Sequence, residues 1–433
     1  MSQNTTDAAR AADSVEANPD ADLSREPEGD KNLLGEPLTP RARLHSVDLL
    51  RGLVMVIMAL DHVRDFFHMD ARSFDPTDPA KTYTALFFTR WITHYCAPTF
   101  VFLAGTGAFL STARGKTKPE LARFLLSRGL WLILLEVTLV RFGWFFNFDY
   151  SFMFMQVIWA IGWSMIFLGG LIFLPVRAIA FVGLLMIFAH NAFDGVSSES
   201  FGPLRWLWVV LHEQNILIPA PGFVVLVAYP LIPWIGVMAV GYALGEVMTL
   251  ERERRRKILF RLGAACVALF VVLRAVNLYG DPRPWASQTD AWFTFLSFLN
   301  TSKYPPSLLF LLMTLGPSML ALALFDREPG REPGPLTHPF IVFGRVPMFY
   351  YLLHVPLMHL VAVVFSYVKY GRAEWLYLNW PPPGATPLEP PGYGYDLWVV
   401  YAVWLGVVAL LYPLCRWFAG IKARRRDAWL SYL

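Results

Sequence analysis

Charged residues are scarce in this chain. Only 16% of its 433 residues are Asp, Glu, Lys or Arg, whereas soluble domains carry about 25%. Hydrophobic residues make up 55% and aromatic residues 15%, and the mean hydropathy is +0.43. These values argue against a disordered chain and against a cytosolic enzyme. The composition therefore predicts a polytopic membrane protein.

Cysteine is also rare, and the common motifs of soluble enzymes are missing. Cys96, Cys266 and Cys415 all fall in apolar runs, which is typical of packed core thiols and argues against a disulfide framework or a zinc site. The sequence contains no P-loop, no dinucleotide fingerprint, no nucleophile elbow and no metal-ligand pair at helical spacing. We expect no metal, no permanently bound cofactor and no nucleic-acid partner.

The first forty residues differ from the rest. They carry nine acidic and three basic residues and no Phe, Trp or Tyr. Such a segment buries too little apolar surface to offset the entropy lost on ordering. It also lacks the apolar core of a cleavable signal peptide. We predict a disordered acidic tail over 1–42 and one membrane domain over 43–433.

The remainder contains ten apolar stretches near the length of about 20 residues that crosses the hydrocarbon core. The predicted fold is accordingly all-α, a bundle of about ten transmembrane helices. The stretch 203–214 is too short to span and is expected at the interface. The predicted spans are 47–67, 87–111, 124–146, 152–174, 176–193, 222–247, 258–278, 305–325, 341–367 and 395–418.

Basic residues indicate the orientation of the bundle, because they accumulate on the cytoplasmic side. Three clusters lie on one side if there are ten spans. Both termini are then cytoplasmic, and the longer connections 194–221, 279–303 and 368–394 face outward. The expected location is the cell membrane, in bacteria the inner membrane. The clusters are Arg114, Lys116, Lys118 and Arg123; Arg252, Arg254, Arg255, Arg256 and Lys257; and Lys422, Arg424, Arg425 and Arg426.

The first predicted span is the richest in ionisable side chains, among them Asp48, Arg51, Asp61, His62 and Asp65. Such groups are costly inside a membrane and are functional candidates. Arg51 and His62 are eleven residues apart, which places them on one helix face about 16 Å apart, with Asp61 turned about 100° away. Arg51 with Asp48 also fits an interfacial pair, and His62 a hydrogen-bonded bundle histidine. Their occurrence on one face favours a site.

The ninth span adds a second group. His354 shares a helix face with Tyr350 and Tyr351, whereas His359 is turned about 140° away. Arg345 precedes them near the expected cytoplasmic end. Each histidine also fits a packed bundle residue.

Two further polar residues come from other spans. His94 is expected near the outer mouth of the second span, and Gln156 in the fourth span requires a polar partner. A packed bundle histidine remains an alternative for His94.

The string Ser46-Val47-Asp48-Leu49-Leu50-Arg51-Gly52, followed by Asp61-His62, resembles the first span of the transmembrane acyltransferase superfamily. Its branches include the heparan-alpha-glucosaminide N-acetyltransferases and the acyltransferase-3 glycan O-acetylases. The eleven-residue spacing of Arg51 and His62 is similar to that of acyltransferase-3. Three later elements resemble the heparan branch: Pro98, Phe100, Val101, Phe102 and Gly105; Met155-Gln156; and Pro339, Gly344, Tyr351 and His354.

The sequence departs from the heparan branch at one point. That branch carries its catalytic histidine in the outward loop after the first span, in a His-x-x-x-Trp-x-Gly setting, and has asparagine where His62 stands. Here the loop begins with His68 and lacks the Trp-Gly pattern. The resemblance is therefore to bacterial, largely unassigned members, for which heparan sulfate is a poor candidate acceptor.

The resemblance implies an acyltransferase that moves an acetyl or other acyl group from cytoplasmic acyl-CoA to an outward-facing glycan or similar acceptor. Acyl-CoA is then a co-substrate, and membrane lipid and the glycan are partners; a homodimer is one option for assembly. Direct transfer and an acyl-histidine intermediate both remain open. The candidate residues are His62, Asp61 and His354 for catalysis, Arg51, Arg345 and Gln156 for acyl-CoA, and Asp48, Asp65, His94 and Tyr351 for the acceptor.

A second class of function is compatible with the same residues. A proton-coupled transporter would use Asp61, His62 and His354 as a relay. It would also be expected to show half-repeats and broken helices at matching positions, and no clear internal symmetry is present. A purely structural scaffold leaves the intramembrane charges unexplained.

Overall fold

A computed structural model describes residues 44–71, 73–220, 222–327, 334–380, 388–425 and 427–432. The predicted tail over 1–42 lies outside the described residues. The described part contains fifteen α-helices. They are α1 (His45–Phe67), α2 (Thr84–Thr93), α3 (Cys96–Thr112), α4 (Lys118–Leu135), α5 (Arg141–Phe145), α6 (Val157–Leu171), α7 (Val176–Ala189), α8 (Arg205–Leu211), α9 (Leu231–Met248), α10 (Arg252–Val276), α11 (Ala291–Leu299), α12 (Leu308–Phe325), α13 (His338–Arg345), α14 (Pro347–Tyr370) and α15 (Leu397–Arg424).

A small sheet corrects the all-α prediction. Its strands are β1 (Phe152–Met155), β2 (Asn215–Ala220) and β3 (Phe223–Val227), in the order β1-β3-β2. β1 pairs with β3 in parallel, and β2 pairs with β3 antiparallel. The residues of β1 and β3 had been assigned to the starts of the predicted spans 152–174 and 222–247. A short apolar run does not distinguish strand from helix by periodicity, so the sequence did not reveal them.

Six described helices are long and apolar enough to cross a membrane, by length and composition. Each corresponds to one of the ten predicted spans. They are Val176–Phe193, Leu231–Met248, Arg252–Val276, Leu308–Phe325, Pro347–Tyr370 and Leu397–Arg424. The helix α1 has 23 residues, a sufficient length, but it carries the ionisable residues identified above. The helix α6, with 15 residues, is shorter than a full span.

Two predicted spans are broken into two helices, and a proline explains each break. The span 87–111 is divided between α2 and α3, and Pro98 lies in the first turn of α3. The span 341–367 is divided between α13 and α14, and Pro347 is the first residue of α14. Proline fits the first turn of a helix, where its missing N–H is not needed, and is less favourable in the interior. Three helices, α12, α14 and α15, nevertheless continue through an interior proline.

The span 124–146 is interrupted differently. A π-helical turn over Glu136–Val140 connects α4 to α5. Inside α4, Gly129 approaches Gly162 of α6, and a Cβ at Gly129 would lie 2.6 Å from the Gly162 carbonyl oxygen. The predicted short segment 203–214 contains only the seven-residue α8.

The helix α1 occupies the centre of the bundle, where it packs against α2, α3, α12, α13, α14 and α15. Its closest approach is to α13. A Cβ at Gly52 would lie 1.7 Å from the Phe340 carbonyl oxygen, and a Cβ at Gly344 would lie 1.8 Å from the Asp48 carbonyl oxygen. Only glycine permits this backbone contact. The central position of α1 brings its polar residues against several other helices at once.

Candidate active site

Two histidines meet in the bundle interior. The Nδ1 atom of His62 on α1 lies 2.8 Å from Nε2 of His354 on α14, and their rings stack with centroids 4.9 Å apart. His354 is fully buried, whereas His62 is half-buried. The proposed shared face of His354, Tyr350 and Tyr351 is present, since both tyrosine rings contact the His354 ring. The pair joins the two helices that the sequence identified as richest in polar residues.

The hydrogen-bond partners assign the protons on the two rings when both are neutral. Nδ1 of His354 lies 2.6 Å from the Tyr351 carbonyl oxygen, which can only accept. His354 therefore donates from Nδ1 and accepts at Nε2. It follows that His62 donates from Nδ1. The lone pair of His62 then lies on Nε2, which is the basic nitrogen of the pair.

Aromatic rings pack around this pair. The Trp144 ring packs edge-on against His62 at 5.0 Å and stacks with Phe66. His359 lies elsewhere, as predicted: its Nδ1 is 3.0 Å from the Gly143 carbonyl oxygen and its ring stacks on Phe146. The pair is thus held in a largely apolar surrounding.

A cavity of about 280 Å³ leads from the first turns of α1 toward the histidine pair; we call it the apolar cavity. Along α1 it is lined from Arg51 to Met58, a rise of about 10 Å, and Met58 lies one helical turn before His62. Tyr351, whose carbonyl oxygen accepts from His354, also lines it. Most other lining side chains are apolar, including Met55, Leu103, Leu132, Ile158, Ile161 and Met165.

Cationic side chains occur at the end of the apolar cavity that is remote from the histidines. Arg51 lines it, donates to the Gly344 carbonyl oxygen at 3.2 Å and lies 3.5 Å from Asp48. Arg128 of α4 lines it as well. Lys116 lies over the ring of Phe124, another lining residue, at 4.1 Å. Arg128 was missed in the sequence, although a single charge within the apolar part of the span 124–146 was a signal for it.

The other two residues assigned to acyl-CoA lie next to the apolar cavity and are not among its lining residues. Arg345 ends α13, and its buried Nε has no hydrogen-bond partner among the described residues; Pro347, two residues later, lines the cavity. Gln156 precedes α6, and the following residue, Val157, lines the cavity.

Asp61 faces away from His62, as the helical geometry predicted. Its carboxylate lies 2.5 Å from Arg90, 3.1 Å from Arg64 and 3.9 Å from Lys303. It is therefore the centre of a buried ion cluster. Asp61 and His62, although adjacent in the sequence, thus contact different parts of the bundle.

The two remaining acidic residues of α1 lie in ion pairs. Asp48 is buried and pairs with Arg51, three residues later on the same helix. Asp65 pairs with Arg64 at 2.5 Å. Neither is among the lining residues of the two cavities described for this part of the chain.

His68, the first residue after α1, is engaged in local structure. Its Nδ1 accepts from the Asp70 amide at 3.1 Å, and its Nε2 lies 3.2 Å from the Tyr83 hydroxyl. Burial lowers the pKa of His68, and the neighbouring Asp70 opposes that shift. Both ring nitrogens have partners, so His68 is less suited than His62 to accept a proton from a substrate.

A second cavity, of about 320 Å³, lies next to the Asp61 ion cluster, farther along α1 than the apolar cavity. We call it the polar cavity. His94 lines it together with Arg90, Arg283, Lys303 and Asp75. Burial alone would raise the pKa of Asp75, but hydrogen bonds from Thr77 and the charge of Arg90 hold it below its ordinary value. The polar cavity and the apolar cavity therefore lie on either side of the turn of α1 that carries Asp61 and His62.

One protein family matches the chain. Residues 43–274, more than half of the chain, match the family model described as heparan-alpha-glucosaminide N-acetyltransferase, catalytic. The matched range contains Arg51, Asp61, His62, His94, Arg128 and Gln156. His354 lies beyond it. No curated protein matches the chain.

Proposed function

The chain belongs to the heparan-alpha-glucosaminide N-acetyltransferase catalytic family, and from that premise we propose that it moves an acetyl group from cytoplasmic acetyl-CoA to an outward-facing glycan. The family makes it a membrane acetyltransferase that modifies glycans. The donor, the acceptor and the residue roles are our proposal. The observation that carries it is the His62–His354 pair at 2.8 Å, one helical turn beyond the end of the apolar cavity.

The apolar cavity suits the donor. A CoA thioester joins an anionic nucleotide to a long, weakly polar arm. The arginines Arg51 and Arg128 are at one end of the cavity, and its remaining lining is mostly apolar. Guanidinium groups bind phosphates with strong, charge-assisted hydrogen bonds. We therefore assign the nucleotide to the arginines and the pantetheine arm to the cavity.

This assignment requires the membrane topology that the sequence predicts. With ten spans and both termini cytoplasmic, the first turns of α1 and the basic connection before α4 lie on the side where acyl-CoA is made. The polar cavity is then outward-facing, because residues of the connections 68–83 and 279–303 contribute to its lining. In a bacterium this places the protein in the inner membrane.

His62 is proposed as the general base. Its Nε2 takes the proton from an acceptor amine or hydroxyl as the acceptor nitrogen or oxygen attacks the thioester carbonyl carbon. The new C–N or C–O bond forms, the C–S bond breaks, and the CoA thiolate leaves with the proton returned by His62. His354 accepts the hydrogen bond from His62 Nδ1 throughout and so stabilises the imidazolium that forms in between.

The proposal is tested with the protein in lipid nanodiscs, radiolabelled acetyl-CoA and a membrane glycolipid extract. We expect label to move into the acceptor, and His62→Ala to lower kcat by about 10²- to 10⁴-fold, the usual contribution of a general base. His45→Ala is the matched control, since His45 is exposed at the start of the same helix; it should keep full activity.

Two outcomes would contradict the proposal. Full transfer by His62→Ala would remove the assigned base. Failure of the wild-type protein to transfer from acetyl-CoA or from longer acyl-CoA would remove the donor class and favour the transporter alternative.

A further inference from the structure

The polar cavity contains more positive than negative charge. Three cationic side chains, Arg90, Arg283 and Lys303, line it, against one carboxylate, that of Asp75. Asp75 already accepts from the Thr77 amide at 2.9 Å and the Thr77 hydroxyl at 2.8 Å. The lining thus has donors in excess of acceptors.

Of the three cations, Arg90 has the shortest distance to a carboxylate among the described residues. Its Nη1 lies 2.5 Å from Asp61, which also lies 3.1 Å from Arg64. The nearest carboxylate to Lys303 is the same Asp61, at 3.9 Å, which is beyond hydrogen-bond distance. The Lys303 side chain is nevertheless largely buried, with an exposure of 9%. A buried ammonium with one shared, distant counter-ion is costly unless another anion reaches it.

Two further groups at the polar cavity have unused polar atoms. Arg283 donates from Nε to the Ser302 hydroxyl at 2.9 Å, and its two terminal nitrogens have no hydrogen-bond partner in the part of the chain that the structure describes. The Nδ1 atom of His94, a residue 3% exposed, has no hydrogen-bond partner among the described residues. Arg283, His94 and Lys303 all line the polar cavity.

We propose that the polar cavity binds an oxyanion, a phosphate or carboxylate, carried by the acceptor, with Lys303 and Arg283 as its principal ligands. This inference rests on the proposed function, because it names the chemical class of the acceptor. Arg90 connects the cavity to Asp61, the residue next to His62. An anion held at Lys303 would therefore bring the acceptor to the turn of α1 that carries His62.

The test compares an amino sugar with the same sugar bearing a phosphate, in solution or on a lipid carrier, under acetyl-CoA-dependent transfer. We expect the phosphorylated acceptor to have a kcat/KM higher by about 10- to 100-fold, the range of one or two charge-assisted hydrogen bonds. Lys303→Met should abolish that preference and leave the KM for acetyl-CoA unchanged. Whichever carrier shows the preference identifies the source of the anion.

Two variants control the test. Lys81→Met removes an exposed lysine of the same outward loop region and should keep the preference. Lys303→Arg preserves the charge and should retain most of it, which separates loss of binding from loss of folding.

A binding measurement makes the inference independent of turnover. Inorganic phosphate should raise the melting temperature of the wild-type protein and of Lys81→Met, and should not raise that of Lys303→Met. Stabilisation by phosphate without any transfer would contradict the proposed function and retain the anion site. Transfer with equal kcat/KM for the neutral and phosphorylated sugars, or stabilisation that persists in Lys303→Met, would overturn the anion site and retain the proposed function.

Discussion

At the scale of single residues, two adjacent side chains on one turn of α1 make different contacts. Asp61 and His62 are adjacent, yet Asp61 contacts a cluster of cations and His62 contacts another histidine. Successive residues of a helix point about 100° apart, so the two side chains face different helices. The Asp61 carboxylate is paired with Arg90 and Arg64 and therefore does not orient the His62 ring. His354 is the group that orients it.

His354 is expected to act as a positioning residue. Replacing it with leucine removes the acceptor for His62 Nδ1–H, so both the tautomer and the ring orientation of His62 are lost. We expect kcat to fall by about 10²-fold, within the range for general acid–base assistance, with a changed pH profile of kcat. His354→Gln offers an amide oxygen in place of Nε2 and should recover part of the rate. Equal rates and pH profiles for His354→Leu and the wild type would contradict this role.

Arg128 is expected to bind the donor without taking part in the chemistry. Arg128→Gln should raise the KM for acetyl-CoA by about 10-fold, the value of one charge-assisted hydrogen bond, and leave kcat near that of the wild type. Arg123→Gln is the control, because Arg123 is exposed on the same helix. A fall in kcat with an unchanged KM would show that Arg128 does not bind the ground-state donor.

At the scale of elements, the contact between α1 and α13 depends on two glycines. Gly52 follows Arg51, and the backbone of α13 lies so close that Arg51 reaches the Gly344 carbonyl oxygen. The Arg-Gly pair therefore combines the side chain that we propose binds the donor with the residue that lets the partner helix approach. Gly344 thus contacts the pair Arg51-Gly52, although almost three hundred residues separate them in the sequence.

Gly52→Ala should disrupt this contact. The new Cβ would lie 1.7 Å from the Phe340 carbonyl oxygen, and backbone atoms cannot move aside as a flexible side chain would. We expect a destabilisation of at least about 1–3 kcal/mol, measured as a lower melting temperature in detergent, together with lost activity. Gly406→Ala in α15 is the control, since nothing lies within 4 Å of its Cβ. Equal melting temperatures for Gly52→Ala and the wild type would contradict the close packing.

At the scale of the whole molecule, the proposed function requires that the two cavities open on opposite sides of the membrane. The basic connection before α4 lies near the arginines of the apolar cavity, and the connections after α1 and α10 contribute to the polar cavity. A donor made in the cytoplasm and an outward acceptor can then approach the same turn of α1. This arrangement is the physical reason for a membrane-spanning site.

Cysteine labelling tests the orientation. In a protein whose three native cysteines are replaced by alanine, Lys81→Cys should react with a membrane-impermeant maleimide in intact cells. Lys257→Cys should react only after permeabilisation. Both lysines are exposed, so burial does not limit either reaction. Labelling of both, or of neither, in intact cells would contradict the predicted topology.

The sequence by itself determined much of the local structure. It predicted α1 over 47–67, found at His45–Phe67, and the turning of Asp61 away from His62. It also predicted that His359 lies apart from His354. All of these follow from the period of one helix, which is a local property of the chain.

Only the tertiary structure decided which distant residues meet. The contact between His62 and His354 spans 292 positions, and Arg128 enters the apolar cavity from a third helix. The strands β1 and β3 lie in apolar runs that do not distinguish strand from helix, and β1 pairs with a strand that is distant in the sequence. Helical periodicity fixes which face a residue occupies, whereas packing between helices decides what that face contacts. The site is therefore a product of long-range packing, built from residues whose local directions the sequence had already determined.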